Sequence, residues 1–196
     1  MTPLDTLTTP RLLLRASDPA FAAAAADFYA RNRAAHASWN PPLPDALFSV
    51  DGQCERLAAA ATAAALGSGV GWWLFAPSEP SLALGQVHFT QIARRAFCSA
   101  MLGYAIDAAH EGRGLMREAL AAALNDVFSP RVGLHRVQAN VRQENTRSLA
   151  LLSRLGFERE GLAREYLFID GAWRDHVLTA LRHPQWPADR APPTSS

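Results

Sequence analysis

Apolar positions along the chain follow two different periods, and the change from one to the other is sharpest in the middle of the sequence. Over the first part of this stretch they occupy every second position, as on a β-strand: Leu102, Tyr104 and Ile106. Over the second part they recur at helical spacing: Met116, Leu120, Ala123, Leu124 and Val127. The segment Glu111-Gly112-Arg113-Gly114 lies between the two. The pattern predicts a strand, a glycine turn and a helix in direct succession.

The same periodicity predicts the remaining elements, with prolines and glycines at their ends. Strands are expected over residues 9–15, 71–76, 82–92, 96–107, 135–141, 162–169 and 173–181, and helices over 20–31, 51–66, 112–128 and 146–155. Three prolines make residues 39–44 an irregular loop, and Asp170-Gly171 predicts the turn of a closing hairpin. The order β-α-α-β-β-β-α-β-α-β-β indicates an α/β (α+β) fold, a single mixed sheet with helices on both faces.

Length, composition and charge limit the number of domains and the kinds of partner that the protein can have. A chain of 196 residues that is 49% hydrophobic is long enough for one sizeable core, so we expect a single domain over 1–183 and a proline-rich tail over 184–196. A net charge of +1 disfavours nucleic acid or membrane as the main partner. Asp5 and Arg11 precede any apolar run, which argues against a signal peptide and favours a cytoplasmic protein.

The cysteines and histidines indicate neither a disulfide nor a metal site. Cys54 and Cys98 are far apart in sequence and are predicted to be free, buried thiols in a reducing compartment. The six histidines are scattered without metal-ligand spacing, so no metal is expected.

The glycine turn is the first candidate site. Glycines let the main chain approach a ligand closely, and the free N–H groups of the first helical turn attract anions, a phosphate or pyrophosphate above all. All 19 basic residues are arginine, which excludes a Gly-Lys-Ser/Thr phosphate loop and lysine Schiff-base chemistry. A dinucleotide fingerprint is excluded because the third glycine is missing.

This segment resembles the pyrophosphate loop of the GNAT acetyltransferase superfamily, Gln/Arg-x-x-Gly-x-Gly/Ala, with Gly114 at the conserved glycine. Glu111 and Met116 depart from the first and last positions. The resemblance implies a mixed, mostly antiparallel sheet and acetyl-CoA as cosubstrate. It also implies two coenzyme-binding stretches. The first holds the pyrophosphate and comprises Glu111, Gly112, Arg113, Gly114, Leu115, Met116 and Arg117. The second follows the pantetheine arm and the thioester carbonyl along an opened strand, and comprises Tyr104, Ala105 and Ile106.

Further motifs narrow the resemblance to the RimJ/RimL branch, the N-terminal alanine acetyltransferases that modify ribosomal proteins. These motifs are Thr9-x-Arg11-Leu12-x-Leu14-Arg15, Asn145-x-x-Ser148-x-x-Leu151-Leu152-x-x-Leu155-Gly156-Phe157, Glu160-Gly161 and Asp170-Gly171-x-Trp173-x-Asp175-His176. The closing hairpin is most similar to the RimJ subfamily. The resemblance implies direct acetyl transfer to the N-terminal α-amine of an Ala or Ser, with no covalent enzyme intermediate.

Four further residues are candidates for the site. Asn145 suits a helix N-cap and, by the resemblance, a contact with the pantetheine arm. Ser148 is implied as the acid that protonates the coenzyme thiolate. Glu165, expected at the start of the penultimate strand beside Tyr166, is the candidate base, with Glu111 as its rival for the substrate amine. Trp39 is either a lid over the acceptor pocket or an aromatic plug on the core, with the plug favoured.

Two other functions stay open at this point. Acetylation of a small amine, such as a polyamine or an aminoglycoside, needs a pocket of unpaired carboxylates, and several glutamates are available: Glu111, Glu118, Glu144, Glu158, Glu160 and Glu165. A ribosome-assembly factor would use the same fold only as a docking surface. The protein is expected to be a monomer or a homodimer.

Overall fold

The computed structural model describes residues 6–186, and these form eight strands and four α-helices in the predicted order. The elements are β1 (Leu7–Thr8), β2 (Leu13–Ala16), α1 (Ala22–His36), α2 (Val50–Ala65), β3 (Val70–Ala76), β4 (Glu79–Ala93), β5 (Ser99–Ile106), α3 (Leu115–Phe128), β6 (Arg136–Arg142), α4 (Thr146–Arg154), β7 (Glu158–Ile169) and β8 (Ala172–Arg182).

The strand predicted over residues 9–15 is divided into β1 and β2. Thr9 and Leu12 close a turn between them, because the Thr9 N–H donates to the Leu12 carbonyl at 2.9 Å and the Leu12 N–H donates to the Thr9 hydroxyl at 3.0 Å. Pro10 falls inside this turn, where its missing N–H costs no ladder hydrogen bond.

All eight strands belong to one sheet in the order β1-β2-β3-β4-β5-β6-β8-β7. Neighbouring strands are antiparallel except β5 and β6, which are parallel. The fold class predicted from the sequence, a mixed and mostly antiparallel sheet, is therefore confirmed. Asp170 and Gly171 join β7 to β8 with φ of 53° and 70°, the pair of positive values that a type I′ hairpin turn requires.

Helices cover both faces of the sheet, and two adjacent tryptophans show the division. Trp72 contacts Phe89 in the larger core, which also contains the buried faces of α3 and α4. Trp73 points to the opposite face and meets Phe28 of α1 edge to face, with ring centroids 5.6 Å apart. Each indole is almost fully buried, which contributes about 4 kcal/mol or more per ring.

The prediction that both cysteines are buried is wrong for Cys54. Cys98 is buried, but Cys54 is exposed on α2, because Gln53 and Leu57, one turn apart, are the residues that α2 turns toward the sheet. Of the predicted tail, residues 187–196 lie outside the described part of the chain. Within residues 6–186, no helix combines the length and the apolar character needed to cross a membrane.

Candidate active site

The sheet opens between its two parallel strands. β5 pairs with β6 only over Ser99–Met101, so the rest of β5 diverges from β6 and leaves a gap. The Asp107 N–H donates to the Leu84 carbonyl on the β4 side at 2.8 Å. Because successive residues of a strand direct their N–H groups to alternate edges, the N–H groups of Tyr104 and Ile106 point toward the gap.

The glycine turn lies at the end of this gap, on the surface. Gly112 and Gly114 have φ of 74° and 77°, the left-handed conformation that favours glycine. Both are exposed, and a side-chain carbon added at Gly112 would meet no atom within 4 Å. Gly114 is the N-cap of α3, a 14-residue helix, so its first N–H groups are available to an anion.

The connection between β1 and β2 braces the glycine turn from one side. One oxygen of Glu118 accepts from the Thr9 hydroxyl at 2.6 Å and from the Arg11 N–H at 2.9 Å, and the other accepts from Arg11 Nε at 2.7 Å. Arg11 also donates to the Arg113 carbonyl at 2.9 Å. Burial raises the pKa of Glu118, but these hydrogen bonds and the Arg11 charge outweigh burial and lower it overall. The sequence did not predict this role of Arg11, although Arg11 belongs to the motif Thr9-x-Arg11-Leu12-x-Leu14-Arg15.

The two departures from the loop motif have separate explanations. Met116 and its neighbour Leu115 are buried in the core, so a large side chain at residue 116 leaves the turn free and only the main-chain N–H faces the anion site. The carboxylate of Glu111 forms an ion pair with Arg147, which neutralises a charge that would repel phosphate. Arg113 and Arg117 are exposed next to the turn.

A pair of hydroxyl groups joins β5 to α4. The Tyr104 hydroxyl and Ser148 Oγ lie 2.5 Å apart. Asn145 caps α4, because its side-chain oxygen accepts from the Ser148 N–H at 3.1 Å. Burial raises the pKa of Tyr104 to about 12, and the hydrogen bond with Ser148 opposes this only in part. Tyr104 thus stays protonated at neutral pH and can donate to Ser148.

Glu165 lies elsewhere than the sequence predicts. It is in the middle of β7, within a bulge between Ala163 and Leu167, and not at the start of a strand. Its φ is 47°, its N–H donates to Asp175 Oδ1 at 2.9 Å and the residue is exposed. Among the described residues, no hydrogen bond connects Glu165 with the Tyr104–Ser148 pair.

Trp39 is on the surface, so the interpretation of it as a core plug is wrong. The residue is 41% exposed, because it lies in the exposed turn over residues 37–39 that follows α1, where its N–H donates to the His36 carbonyl at 3.0 Å. The guanidinium of Arg142 lies 5.7 Å from the centre of the Trp39 ring and donates to the Ser38 carbonyl at 2.6 Å. Arg142 ends β6, so these contacts connect the end of α1 with the far side of the gap.

A buried charge network, absent from the sequence prediction, fixes the end of β5. Asp107 is 4% exposed and accepts from Arg31 Nε at 2.5 Å, from Asn32 at 3.3 Å and from the Ala109 N–H at 2.8 Å. Burial raises its pKa, but these hydrogen bonds and the Arg31 charge outweigh burial and bring the pKa to about 2. No sequence signal could have found it, because Arg31 and Asp107 are 76 residues apart.

The geometry suits a nucleotide-linked acyl donor. Exposed helix N–H groups can hold a pyrophosphate, and the free edge of β5 offers N–H groups to an extended arm. The structure thus brings together Gly112, Gly114, Tyr104, Ser148 and Asn145 but leaves Glu165 apart from them. Within residues 6–186, no group of three or more His, Cys, Asp or Glu side chains is placed to hold a metal ion.

A mixed sheet that opens beside a glycine turn and helix N-terminus defines the class of CoA-dependent acyltransferases. Residues 11–158 match the acetyltransferase (GNAT) domain family. The chain belongs to this family and is an N-acetyltransferase by fold and sequence.

Individual relatives agree with this assignment. The chain is 41% identical over 184 residues, 94% of each protein, to the [ribosomal protein uS5]-alanine N-acetyltransferase of Escherichia coli. The crystal structure of ribosomal-protein-S5-alanine acetyltransferase from Vibrio fischeri superposes with a TM-score of 0.89 at 29% identity, covering 94% of this chain and all of that one. Mycobacterium smegmatis RimJ in complex with CoA-disulfide gives 0.82 at 29% identity, covering 92% and 85%.

Proposed function

We propose that this protein transfers the acetyl group of acetyl-CoA to the N-terminal α-amine of a ribosomal protein whose first residue is Ala or Ser. The observation that carries the proposal is the 41% identity to the Escherichia coli uS5-alanine enzyme over 94% of both chains. A ribosomal substrate also makes the cytoplasm the place of action.

Acetyl transfer to an α-amine does not need a strong base. An α-amine has a pKa of about 7.7–8.0, so a substantial fraction is already neutral near pH 7.5. What the protein must do is hold the two reactants, stabilise the developing oxyanion and accommodate the leaving thiolate. The coenzyme, when bound, supplies the activated acetyl group. The N–H groups of Tyr104 and Ile106 point into the gap and are the proposed oxyanion contacts, with the residues of the glycine turn at the pyrophosphate.

Ser148 is the proposed proton donor to the leaving thiolate, and Tyr104 orients it. A phenol is a better hydrogen-bond donor than an aliphatic alcohol, so Tyr104 donates to Ser148 Oγ across the 2.5 Å between them. The hydrogen of Ser148 is then free to point to the leaving sulfur. The Asn145 cap fixes the main chain of Ser148 and leaves the amide nitrogen of Asn145 for the pantetheine arm.

Glu165 stays the proposed base, acting through water because it is exposed. Glu165→Gln tests it, with Glu158→Gln, an exposed glutamate at the start of the same strand, as the matched control. Loss of the base lowers kcat and moves the acidic limb of the pH profile up to the pKa of the free amine, about 7.7–8.0. If Glu165→Gln keeps the wild-type profile, the amine reacts without a protein base.

A small cationic substrate is a weaker candidate. Five of the six glutamates that could attract it are already paired with arginine: Glu111, Glu118, Glu144, Glu158 and Glu160. Only Glu165 lacks such a partner among the described residues, and one exposed carboxylate is a poor site for a polyamine.

The test is a direct assay. Purified protein is incubated with acetyl-CoA and with ribosomal protein uS5, with peptides that begin with Ala, Ser, Met or Pro, or with spermine or an aminoglycoside, and products are followed by intact mass. We expect one acetyl group on uS5 and on the Ala or Ser peptides. Acetylation of spermine or the aminoglycoside alone would contradict the proposal, and so would binding of acetyl-CoA without any transfer.

A further inference from the structure

A cavity of about 260 Å³ lies under α2, on the α1/α2 face of the sheet. Small residues create it: Gly71 has no side chain to place on this face of β3, and Ala60 and Ala63 of α2 stand over the same region. Leu57 and Trp73 complete its apolar wall. The cavity is separate from the glycine turn, because α3, which begins at that turn, packs on the other face of the sheet.

Arg56 brings a positive charge to this cavity, and none of the ion pairs within residues 6–186 includes it. The guanidinium donates to Gln86 Oε1 at 2.9 Å and to Gln53 Oε1 at 3.3 Å, and it lies 5.3 Å from the centre of the Tyr29 ring. These partners are neutral. A half-buried arginine with only neutral partners retains its attraction for an anion.

His88 adds an unsatisfied polar atom. It lies between two glycines on neighbouring strands, Gly71 of β3 and Gly103 of β5, and an added side-chain carbon at Gly103 would fall 2.2 Å from His88 Nε2. His88 Nδ1 is buried and has no hydrogen-bond partner. Burial, and secondarily the Arg56 charge, lower the pKa of His88 to about 4. The ring is therefore neutral at pH 7, and one of its nitrogens can donate.

We propose that this cavity binds a small organic carboxylate, with the carboxylate group on Arg56 and His88 and the apolar body against Leu57, Ala60 and Trp73. The cavity volume of about 260 Å³ is below the roughly 300 Å³ at which pockets for drug-sized ligands begin, so the cavity fits a smaller molecule. A carboxylate would satisfy both polar groups at once, whereas a neutral molecule leaves the charge of Arg56 uncompensated.

Titration calorimetry with benzoate tests the proposal, with saturating CoA present to occupy the transferase site. Benzamide is the neutral probe of the same shape. We expect benzoate to bind at millimolar concentration and benzamide to bind at least about tenfold more weakly, since hydrogen bonds to charged groups are the stronger ones.

Three variants locate the binding site. Arg56→Gln removes the charge and Ala60→Leu fills the cavity, and each should weaken benzoate binding by about tenfold or more. Arg33→Gln is the matched control, because Arg33 is an exposed arginine of α1 that pairs with Asp45, and it should bind as the wild type does. Thermal melts confirm that each variant is folded. The proposal is overturned if benzoate does not bind, if benzamide binds equally well, or if both cavity variants keep wild-type affinity.

Discussion

The hydroxyl groups of Tyr104 and Ser148 lie 2.5 Å apart, although 44 residues separate them in the sequence. One comes from the strand that borders the gap and the other from the first turn of α4. Ser148→Ala should lower kcat by about 10² to 10⁴ if the serine supplies the proton. Tyr104→Phe keeps the ring and removes only the hydroxyl, so we expect a loss in kcat of about tenfold, with the KM for acetyl-CoA unchanged.

Steady-state kinetics on the double variant provides the control. Because Tyr104 acts through Ser148, removing both hydroxyls should cost no more activity than removing Ser148 alone. Full additivity of the two losses would mean that the hydroxyls act independently.

Gly112→Ala tests the glycine turn. A left-handed alanine costs about 1–2 kcal/mol, and the added carbon stands in the open space through which the pyrophosphate approaches. Gly133 is the matched control: its φ is 69°, close to the 74° of Gly112, and it lies at the other end of α3. Both variants should lose similar thermal stability, but only Gly112→Ala should bind CoA more weakly by calorimetry. Equal affinities in the two variants would place the pyrophosphate elsewhere.

The ionisation of Asp107 makes the free energy of unfolding depend on pH. Its pKa falls from the ordinary 3.8 to about 2 in the folded protein, so the unfolded chain takes up the proton first. The stabilisation is complete above pH 5 and is lost as the pH falls from about 4 to about 2. Between pH 6 and pH 3 the wild type should lose about 1 kcal/mol through this group. Urea unfolding of the wild type and of Asp107→Asn measures this loss. The difference between their free energies of unfolding should narrow toward pH 3, and a constant difference would exclude the carboxylate as the cause.

Trp39 is expected to contact the acceptor. Removing an aromatic contact of this kind costs about 0.5–1.5 kcal/mol, so Trp39→Ala should raise the KM for an Ala-initiated peptide by about 3- to 10-fold and leave the KM for acetyl-CoA unchanged. Phe97→Ala is the control, because Phe97 is 59% exposed and precedes β5, at the end of that strand away from the gap. A matching rise in Phe97→Ala would remove Trp39 from the acceptor site.

Local sequence patterns were sufficient to predict the order of helices and strands. Hydrophobic periodicity, and the prolines and glycines that end each element, are properties of neighbouring residues. The glycine turn and the Asn145 cap were predictable for the same reason. Contacts between distant segments were not: nothing near Arg31 in the sequence indicates Asp107, and no local signal shows that β5 leaves β6 after Met101.

The predictions for Trp39, Cys54 and Glu165 were wrong for the same reason, because each depends on contacts between distant segments. A tryptophan beside a proline-rich loop is buried or exposed according to how that loop packs, and Trp39 lies in an exposed turn. Cys54 lies on a helix that is rich in alanine all round, so the face turned to solvent was not apparent. The bulge around Glu165 depends on how β7 pairs with β8, which only the assembled hairpin determines.

Within residues 6–186, Ser99–Met101 are the residues of β5 that pair with β6, and this short ladder is extended only by the hydrogen bonds that the His135 and Arg136 N–H groups donate to the Cys98 carbonyl. A molecule that lies in the gap and bonds to both edges acts as an additional strand between them. Ligand at a hundred times its dissociation constant adds about 2.7 kcal/mol to the stability of a protein. In this protein that gain should act where β5 and β6 part, so that binding of the acyl donor also holds the two parts of the sheet together.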